Sequence, residues 1–228
     1  MNESSSLLHT AEIVHWAALI IMAVVYSLRL KWLFSFKPGA DKSAPGNPEH
    51  SNKQKGAFYS LFNVAMPWSM ESTRKGFAFY LTFVVFHLGV VAGITLAFLS
   101  SITPNFVAGP AFAWICGSTL FLAFLVAVYR VFRRLFSPVM KLISTPDDNF
   151  SLFMLTAWFG LGVLTQAHLA GVQGFDSVNY LVAYLLLTSF FLIYVPFSKI
   201  SHYLYYPFTR IWIGRALGHR GSYPIVRG

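Results

Sequence analysis

Five stretches of this chain, at about 11–34, 77–101, 110–135, 150–172 and 178–206, are long, apolar and nearly free of charge. About 20 such residues cross a bilayer core as a helix. Within hydrocarbon the backbone must satisfy its own hydrogen bonds, which leaves only helices and closed barrels as spanning structures. The expectation is an all-α integral membrane protein with five transmembrane helices, a single membrane domain over residues 1–228. Only 11% of the residues are charged, where a soluble domain carries about 25%.

The connections between these stretches alternate in charge. Eight Lys and Arg lie from Arg29 to Lys75, four from Arg130 to Lys141 and five from Lys199 to Arg227, whereas SITPNFVAGP and GVQGFDS contain none. All seventeen cations thus fall on one side of a five-helix arrangement. Cytoplasmic loops carry the excess of Lys and Arg. The N-terminus is therefore expected outside and the C-terminus in the cytoplasm, with a cytoplasmic loop at 35–75 and a cytoplasmic tail at 207–228. The same distribution accounts for the net charge of +9 without invoking nucleic acid.

The first half of the long loop (KPGADKSAPGNPEHSNKQKG) reads as irregular, and the second (AFYSLFNVAMPWSMES) as a short interfacial helix. Trp16, Trp32, Trp114, Tyr203, Tyr205, Tyr206 and Trp212 read as interfacial belt residues. The single cysteine, Cys116, excludes a disulfide framework and an all-cysteine metal site, and reads as a small buried residue. Asp147 and Asp148 read as the N-cap of the fourth helix, favouring its dipole, and not as a catalytic dyad. The polar, acidic start (MNESSSLLHTAE) lacks the basic flank of a cleavable signal. No nucleophile, triad, phosphate loop or catalytic carboxylate pair is recognisable. A transporter is disfavoured by the lack of inverted repeats and midplane acids.

Two histidines fall inside apolar stretches: His87 in FYLTFVVFHLGVVAGITLAFLSS and His202 in LVAYLLLTSFFLIYVPFSKISHYLYYPF. An ionisable ring in hydrocarbon is costly and is by default a functional group. Imidazole is also an axial ligand of haem iron. His87 lies about 18 Å along its helix from Lys75, and His202 about 12 Å from Arg210, at 1.5 Å per residue. Both belong to the inner leaflet on this reckoning. They are candidate axial ligands of a haem b, with proton relay, quinone contact and plain packing as the competing readings. Arg74, Lys75, Lys199 and Arg210 are candidates to neutralise its propionates. Gly89 and Gly93 would allow a flat ring or a neighbouring helix to approach. Ser198 and Ser201 could orient the His202 ring.

FHLGVVAGITLAFLSSITP, FLIYVPFSKISHYLYYPFTR and RRLFSP together resemble the cytochrome b (gamma) subunit of the respiratory nitrate reductase family. That family pairs a Phe-His-x-Gly helix with a Pro-Phe-Ser-Arg/Lys-x-x-His helix, and the likeness covers about residues 77–210. In size the chain is more similar to the small membrane cytochrome b subunits of redox complexes in sulfate reducers. These are the high-molecular-weight cytochrome c complex and its tetrahaem type II counterpart. The resemblance implies that helices 2–5 form a haem-binding bundle, with His87 and His202 as the pair nearer the cytoplasm. The positions of the family's outer pair are here Ala97 and Tyr184, which cannot ligate a haem as two histidines do.

It further implies an electron-transfer subunit of an oxidoreductase in the bacterial inner membrane, serving anaerobic respiration. Its partners would be a heterodisulfide-reductase-like iron–sulfur subunit in the cytoplasm, a periplasmic multihaem cytochrome c, other membrane subunits and the lipid bilayer.

Two more histidines, His15 and His168, lie at outer depth. They are candidates for a second haem, for a quinone site (menaquinone among them), or for wet interfacial positions. Gln166 and Tyr184 are candidate quinone hydrogen-bond partners. One haem at the inner side does not by itself bridge a bilayer about 30 Å thick, so a second carrier is expected. Two alternatives stand beside the electron-transfer reading: a quinol-oxidising or quinone-reducing subunit with one haem, and a haem-free anchor for peripheral redox subunits.

Overall fold

The structure, a computed structural model, describes residues 3–39, 41–46 and 49–225. Arg227, counted above among the cytoplasmic cations, lies outside them. Among the described residues every regular element is helical. The α-helices are α1 (Glu3–Ser35), α2 (Lys53–Phe62), α3 (Glu71–Lys75), α4 (Phe77–Ile102) and α5 (Pro104–Val107). They continue with α6 (Pro110–Phe136), α7 (Pro138–Ile143), α8 (Pro146–Leu169), α9 (Asn179–Tyr194) and α10 (His202–His219). Single 3₁₀ turns lie at Asn63–Ala65, Val195–Phe197 and Lys199–Ser201.

Five helices are long and apolar enough to cross a membrane: α1, α4, α6, α8, and α9 together with the turn that ends at Phe197. At most 39% of any of their apolar windows is buried within the protein, so most of that surface faces outward. A water-soluble protein does not leave so much apolar surface uncovered. The chain is a multi-pass membrane protein.

Local chemistry sets the helix starts. α8 begins at Pro146, earlier than the apolar pattern suggested, because Thr145 caps it. The Thr145 hydroxyl accepts from the Asp148 amide while the Asp148 carboxylate accepts from the Thr145 amide. This reciprocal box, followed by Pro at the first helical position, is a strong start signal. Asp147 accepts the Tyr194 hydroxyl proton at 2.5 Å. The two acids therefore serve the helix start, with Thr145 as the cap itself.

The fifth stretch departs from expectation. One helix was expected over 178–206, but α9 ends at Tyr194 and the chain passes through two 3₁₀ turns separated by extended Ser198 (φ −102°, ψ 172°). Pro196 removes a backbone donor and cannot sit inside a helix without cost. His202 is consequently the first residue of α10 and an exposed one, beyond the membrane-length stretch that ends at Phe197. The expected tail at 207–228 is likewise helical through His219.

By backbone packing the chain divides into two units. The first comprises Met1–Tyr26 and Leu81–Lys199, the second Ser27–Tyr80 and Ile200–Gly228. In the first, Gly93 of α4 is a point of close approach. A Cβ there would collide with the Trp158 indole of α8. Tyr184 of α9, wholly buried, donates its hydroxyl to the Gly93 carbonyl at 2.6 Å. Trp158 stacks on Tyr184 (13° between planes) and donates its Nε1–H to Thr188 Oγ1 at 2.8 Å. Gly89 meets Ala123 of α6 and Phe159 of α8 in the same manner. Both glycines therefore serve helix packing. Ala11 of α1 packs with Leu181 and Leu185 of α9.

In the second unit α2 crosses α10 backbone to backbone. A Cβ on Gly56 would strike the Gly214 carbonyl and the Gly218 Cα. Of the stretch read as irregular, 37–56, the last four residues already belong to α2; residues 36–52 contain no helix among those described, and they are pinned to α10. Asn52 N donates to Gly218 O (2.9 Å), Gly46 N to His219 O (3.1 Å) and Ser51 Oγ to His219 O (2.6 Å). Trp212 Nε1 donates to Gly39 O and Tyr206 Oη to Leu61 O, so these two aromatics hold the unit together in addition to any interfacial role. Asp41 accepts twice from Arg220.

Two outcomes follow from this packing. Gly56→Val should cost about 1–3 kcal/mol, because backbone cannot move aside for the new atoms. Gly39→Ala, facing Trp212 at an ordinary 3.8 Å, should stay within about 0.5 kcal/mol of wild type. Thermal unfolding of the two variants in detergent compares them directly.

The second outcome concerns acid. Arg220, and then Ser43, hold the Asp41 carboxyl well below the usual carboxylate range. A carboxylate depressed in the folded state contributes stability above its unfolded value, near pH 4, and loses it as the pH falls through the folded value. Cleavage of the 36–52 segment by an acid-active protease should therefore rise below about pH 4. In Asp41→Asn it should already be raised at pH 6, where the wild type resists.

Candidate functional site

Phe83 and His87 occupy successive turns of α4, and this spacing fixes the imidazole. Its Nδ1 lies 2.8 Å from the Phe83 carbonyl oxygen. A carbonyl only accepts, so Nδ1 must carry the hydrogen. In the neutral ring Nε2 then holds a lone pair, the arrangement that a ligating histidine needs. The ring is half-buried, between Phe83 (centroids 4.1 Å apart) and Phe86 (5.9 Å). Phe86 in turn meets Phe159 edge-on at 5.2 Å, and the Arg130 guanidinium of α6 sits 4.6 Å above the Phe86 ring.

Arg130 was legible in the sequence only as a topogenic charge. Its place one ring away from His87 depends on the α4–α6 packing and has no local sequence signature.

His202 belongs to the second unit, at the start of α10. Ser198, expected beside it, donates its hydroxyl to the Val195 carbonyl at 3.1 Å and so closes the 3₁₀ turn. One turn into α10, the Tyr205 hydroxyl accepts from Arg29 Nη1 of α1 at 3.3 Å. Arg29, too, stood in the sequence only as a topogenic charge.

The four cations proposed for propionates have diverse surroundings. Lys75 pairs with Glu71 at 2.6 Å, one turn back along α3. Lys199 contacts Asp148 Oδ1 and Thr145 Oγ1, each at 3.0 Å, and thereby ties the end of α9 to the start of α8. Arg210 is half-buried and donates Nε–H to the Ser60 carbonyl at 3.0 Å, with four further N–H donors on the same guanidinium. Arg74 is exposed in α3. Two of the four thus already hold carboxylates of this chain.

The two other histidines have separate neighbourhoods in the first unit. His15 is wholly buried in α1, edge-on to Phe98 of α4 at 5.7 Å, and neither ring nitrogen has a hydrogen-bond partner among the described residues. Each unmet buried polar group costs about 1–3 kcal/mol. His168 is half-buried and bonds through Nδ1 to the Phe175 carbonyl at 2.9 Å, in the turn after its own helix.

Of the proposed quinone partners, Tyr184 is engaged with Gly93, while Gln166 donates Nε2–H to the Val107 carbonyl at 2.9 Å and its buried Oε1 meets no partner among the described residues. Cys116 is buried, as expected. It lines a groove of about 540 Å³ between α4, α5 and α6, together with Ala92, Thr95, Phe106, Phe112 and Ile115. That lining is almost wholly apolar and suits a hydrocarbon chain better than a polar headgroup. No group of three or more His, Cys, Asp or Glu among the described residues is placed to hold a metal ion.

No family model matches this chain, and no solved structure does. A protein of Nitratidesulfovibrio vulgaris strain Hildenborough, whose name states no function, is similar to it. The two are 25% identical over 227 residues, covering 93% of this chain and 91% of the relative. The likeness runs nearly end to end.

The orphaned imidazole gives a direct test. His15→Leu removes two unmet polar groups and keeps most of the volume. With nothing bound there, the variant should be as stable as wild type or more so, by up to about 3 kcal/mol. A fall in melting temperature of the detergent-purified protein would show that His15 holds a partner in the native molecule.

Proposed function

We propose that this chain is the haem b subunit of a membrane redox complex. It would pass electrons between a periplasmic cytochrome c, or the quinone pool, and a cytoplasmic iron–sulfur subunit. One observation carries the reading. His87 stands in a membrane-length helix with its Nδ1 2.8 Å from the Phe83 carbonyl oxygen, a contact that puts the ring hydrogen on Nδ1. That is a costly residue in a costly place, prepared in the tautomer that coordinates iron.

When bound, haem supplies one-electron chemistry at iron, with a potential set by its axial ligands and surroundings. The chain's own residues do the rest. His87 would offer one axial nitrogen, and the Phe83 carbonyl fixes its ring. His202 is proposed as the second ligand on the strength of the PFSKISH pattern. Phe83 and Phe86 keep water from the His87 ring. Arg130, over Phe86, is a fixed positive charge near that ring; such a charge favours the ferrous state. Arg74 and Arg210 are better placed than Lys75 and Lys199 to meet propionates, because the two lysines already hold Glu71 and Asp148. The chain is proposed to lie in the bacterial inner membrane with its N-terminus outside and its basic loop and C-terminus in the cytoplasm.

Transfer across the whole bilayer needs a second carrier. His15, buried with both nitrogens unmet, favours the outer end of the first unit as the place for a quinone or a second haem, with His168 nearby in depth along its own helix.

The deciding measurement is haem content. Wild type, His87→Ala and His202→Ala are purified alike, and reduced-minus-oxidised spectra are recorded with haem quantitation. The expected result is about one haem per wild-type chain and loss of most of it in both variants. Equal haem in all three would remove these ligands. A wild type without a Soret band would leave a haem-free anchor as the function. Haem retained with turnover blocked by quinone analogues would favour the quinol-oxidising alternative.

A further inference from the structure

The chain's entire net charge of +9 belongs to the second unit, which has twelve Lys and Arg against three Asp and Glu; the first unit has five against five. This surplus accompanies an outward aromatic surface. α2 is inside out for a helix in water. Its small face, Gly56 and Ser60, is buried, and Gly56 meets α10. Phe58 and Phe62 are 63% and 44% exposed, with their rings 4.6 Å apart. Lys55 stands three residues before Phe58, on the same side of the helix. Trp68 (62% exposed) and Met70 follow, then Arg74 and Lys75. The stretch 53–75 contains one acid, Glu71, and Lys75 pairs with it. Beyond both ends the chain enters membrane-length helices, α1 finishing at Ser35 and α4 starting at Phe77.

Outward aromatic rings flanked by Lys and Arg are the signature of helices that lie in a headgroup layer. The rings enter the acyl boundary and the cations meet phosphate. We propose that residues 53–75 lie on the membrane surface and bind anionic phospholipid headgroups. Charge complementarity selects an anionic partner. The return of the chain to the membrane at both ends, together with Phe and Trp as the exposed rings, selects a lipid over an acidic protein. The inference is independent of haem.

Cys116 is the only cysteine, which makes a single-site probe simple. The full chain carrying Cys116→Ser and Phe58→Cys is labelled with an environment-sensitive fluorophore. It is then placed in nanodiscs of phosphatidylcholine, with or without phosphatidylglycerol. The expected result is a blue-shifted label, shielded from an aqueous quencher, in the anionic discs and clearly less so in the neutral ones. Lys53→Gln/Lys55→Gln, both exposed positions, should shrink that difference at least twofold, as should high salt. Circular dichroism and a second label at Trp68→Cys confirm that the unit stays folded. A label equally open to quencher in both discs overturns the proposal and leaves the face to an acidic protein partner. An equal shift in both discs overturns the recognition of anionic headgroups.

Discussion

Close approach at glycine, of side chains in one unit and of backbone in the other, holds each half of this molecule together. Lipid tails are as apolar as leucine, so no hydrophobic force pulls helices together inside a bilayer; close packing and hydrogen bonds between helices must do it. In the first unit Gly93 lets the Trp158 indole settle against α4, and the Tyr184 hydroxyl then reaches the Gly93 carbonyl. In the second, Gly56 against Gly214 and Gly218 brings α2 and α10 to backbone distance. Everything else is arranged around these crossings, including the ring system Phe86, Phe159 and Trp158 that runs from beside His87 into the core.

The two units solve different solvent problems. The first is electrically neutral and closes many of its polar groups on one another: Trp158 on Thr188, Thr165 on the Tyr180 carbonyl, Gln166 Nε2 on the Val107 carbonyl. An unmet polar group is dearest where no water can reach it, which makes the unpartnered His15 stand out. The second unit carries the charge, and its contacts are of the kind found in water: an Asp41–Arg220 pair and side chains bonded to loop carbonyls. The described residues of a segment rich in Pro, Gly and Lys are tied to α10 there without forming a helix of their own.

Most of the architecture was legible in the sequence because hydrocarbon allows so few backbones. The five helices fall where apolar length put them, to within a few residues for the middle three. What escaped has physical reasons. The fifth stretch stays apolar past Pro196, so composition continued a helix that the missing donor ends. The 207–219 helix has mixed polarity and no long apolar run, and it looked like a tail. It forms because Gly214 and Gly218 find Gly56, a partner some 160 residues away in the chain. The placement of Arg130 over Phe86 and of Arg29 on Tyr205 likewise depends on tertiary packing. His87 was legible outright, since a titratable ring amid Phe, Val and Leu needs no structure to be noticed. The tautomer was not, because the Phe83 carbonyl becomes a partner of Nδ1 only once the helix has formed.

The break at Pro196 also has a metrical consequence. Sixteen residues of α-helix in α9 measure about 24 Å at 1.5 Å each, too short for a hydrocarbon slab. The three residues Val195–Phe197 that follow are wound as a 3₁₀ coil, which rises about 2 Å per residue and supplies the missing 6 Å or so. By drawing its last turn out into a narrower screw, the final crossing reaches the far boundary with fewer residues than any other.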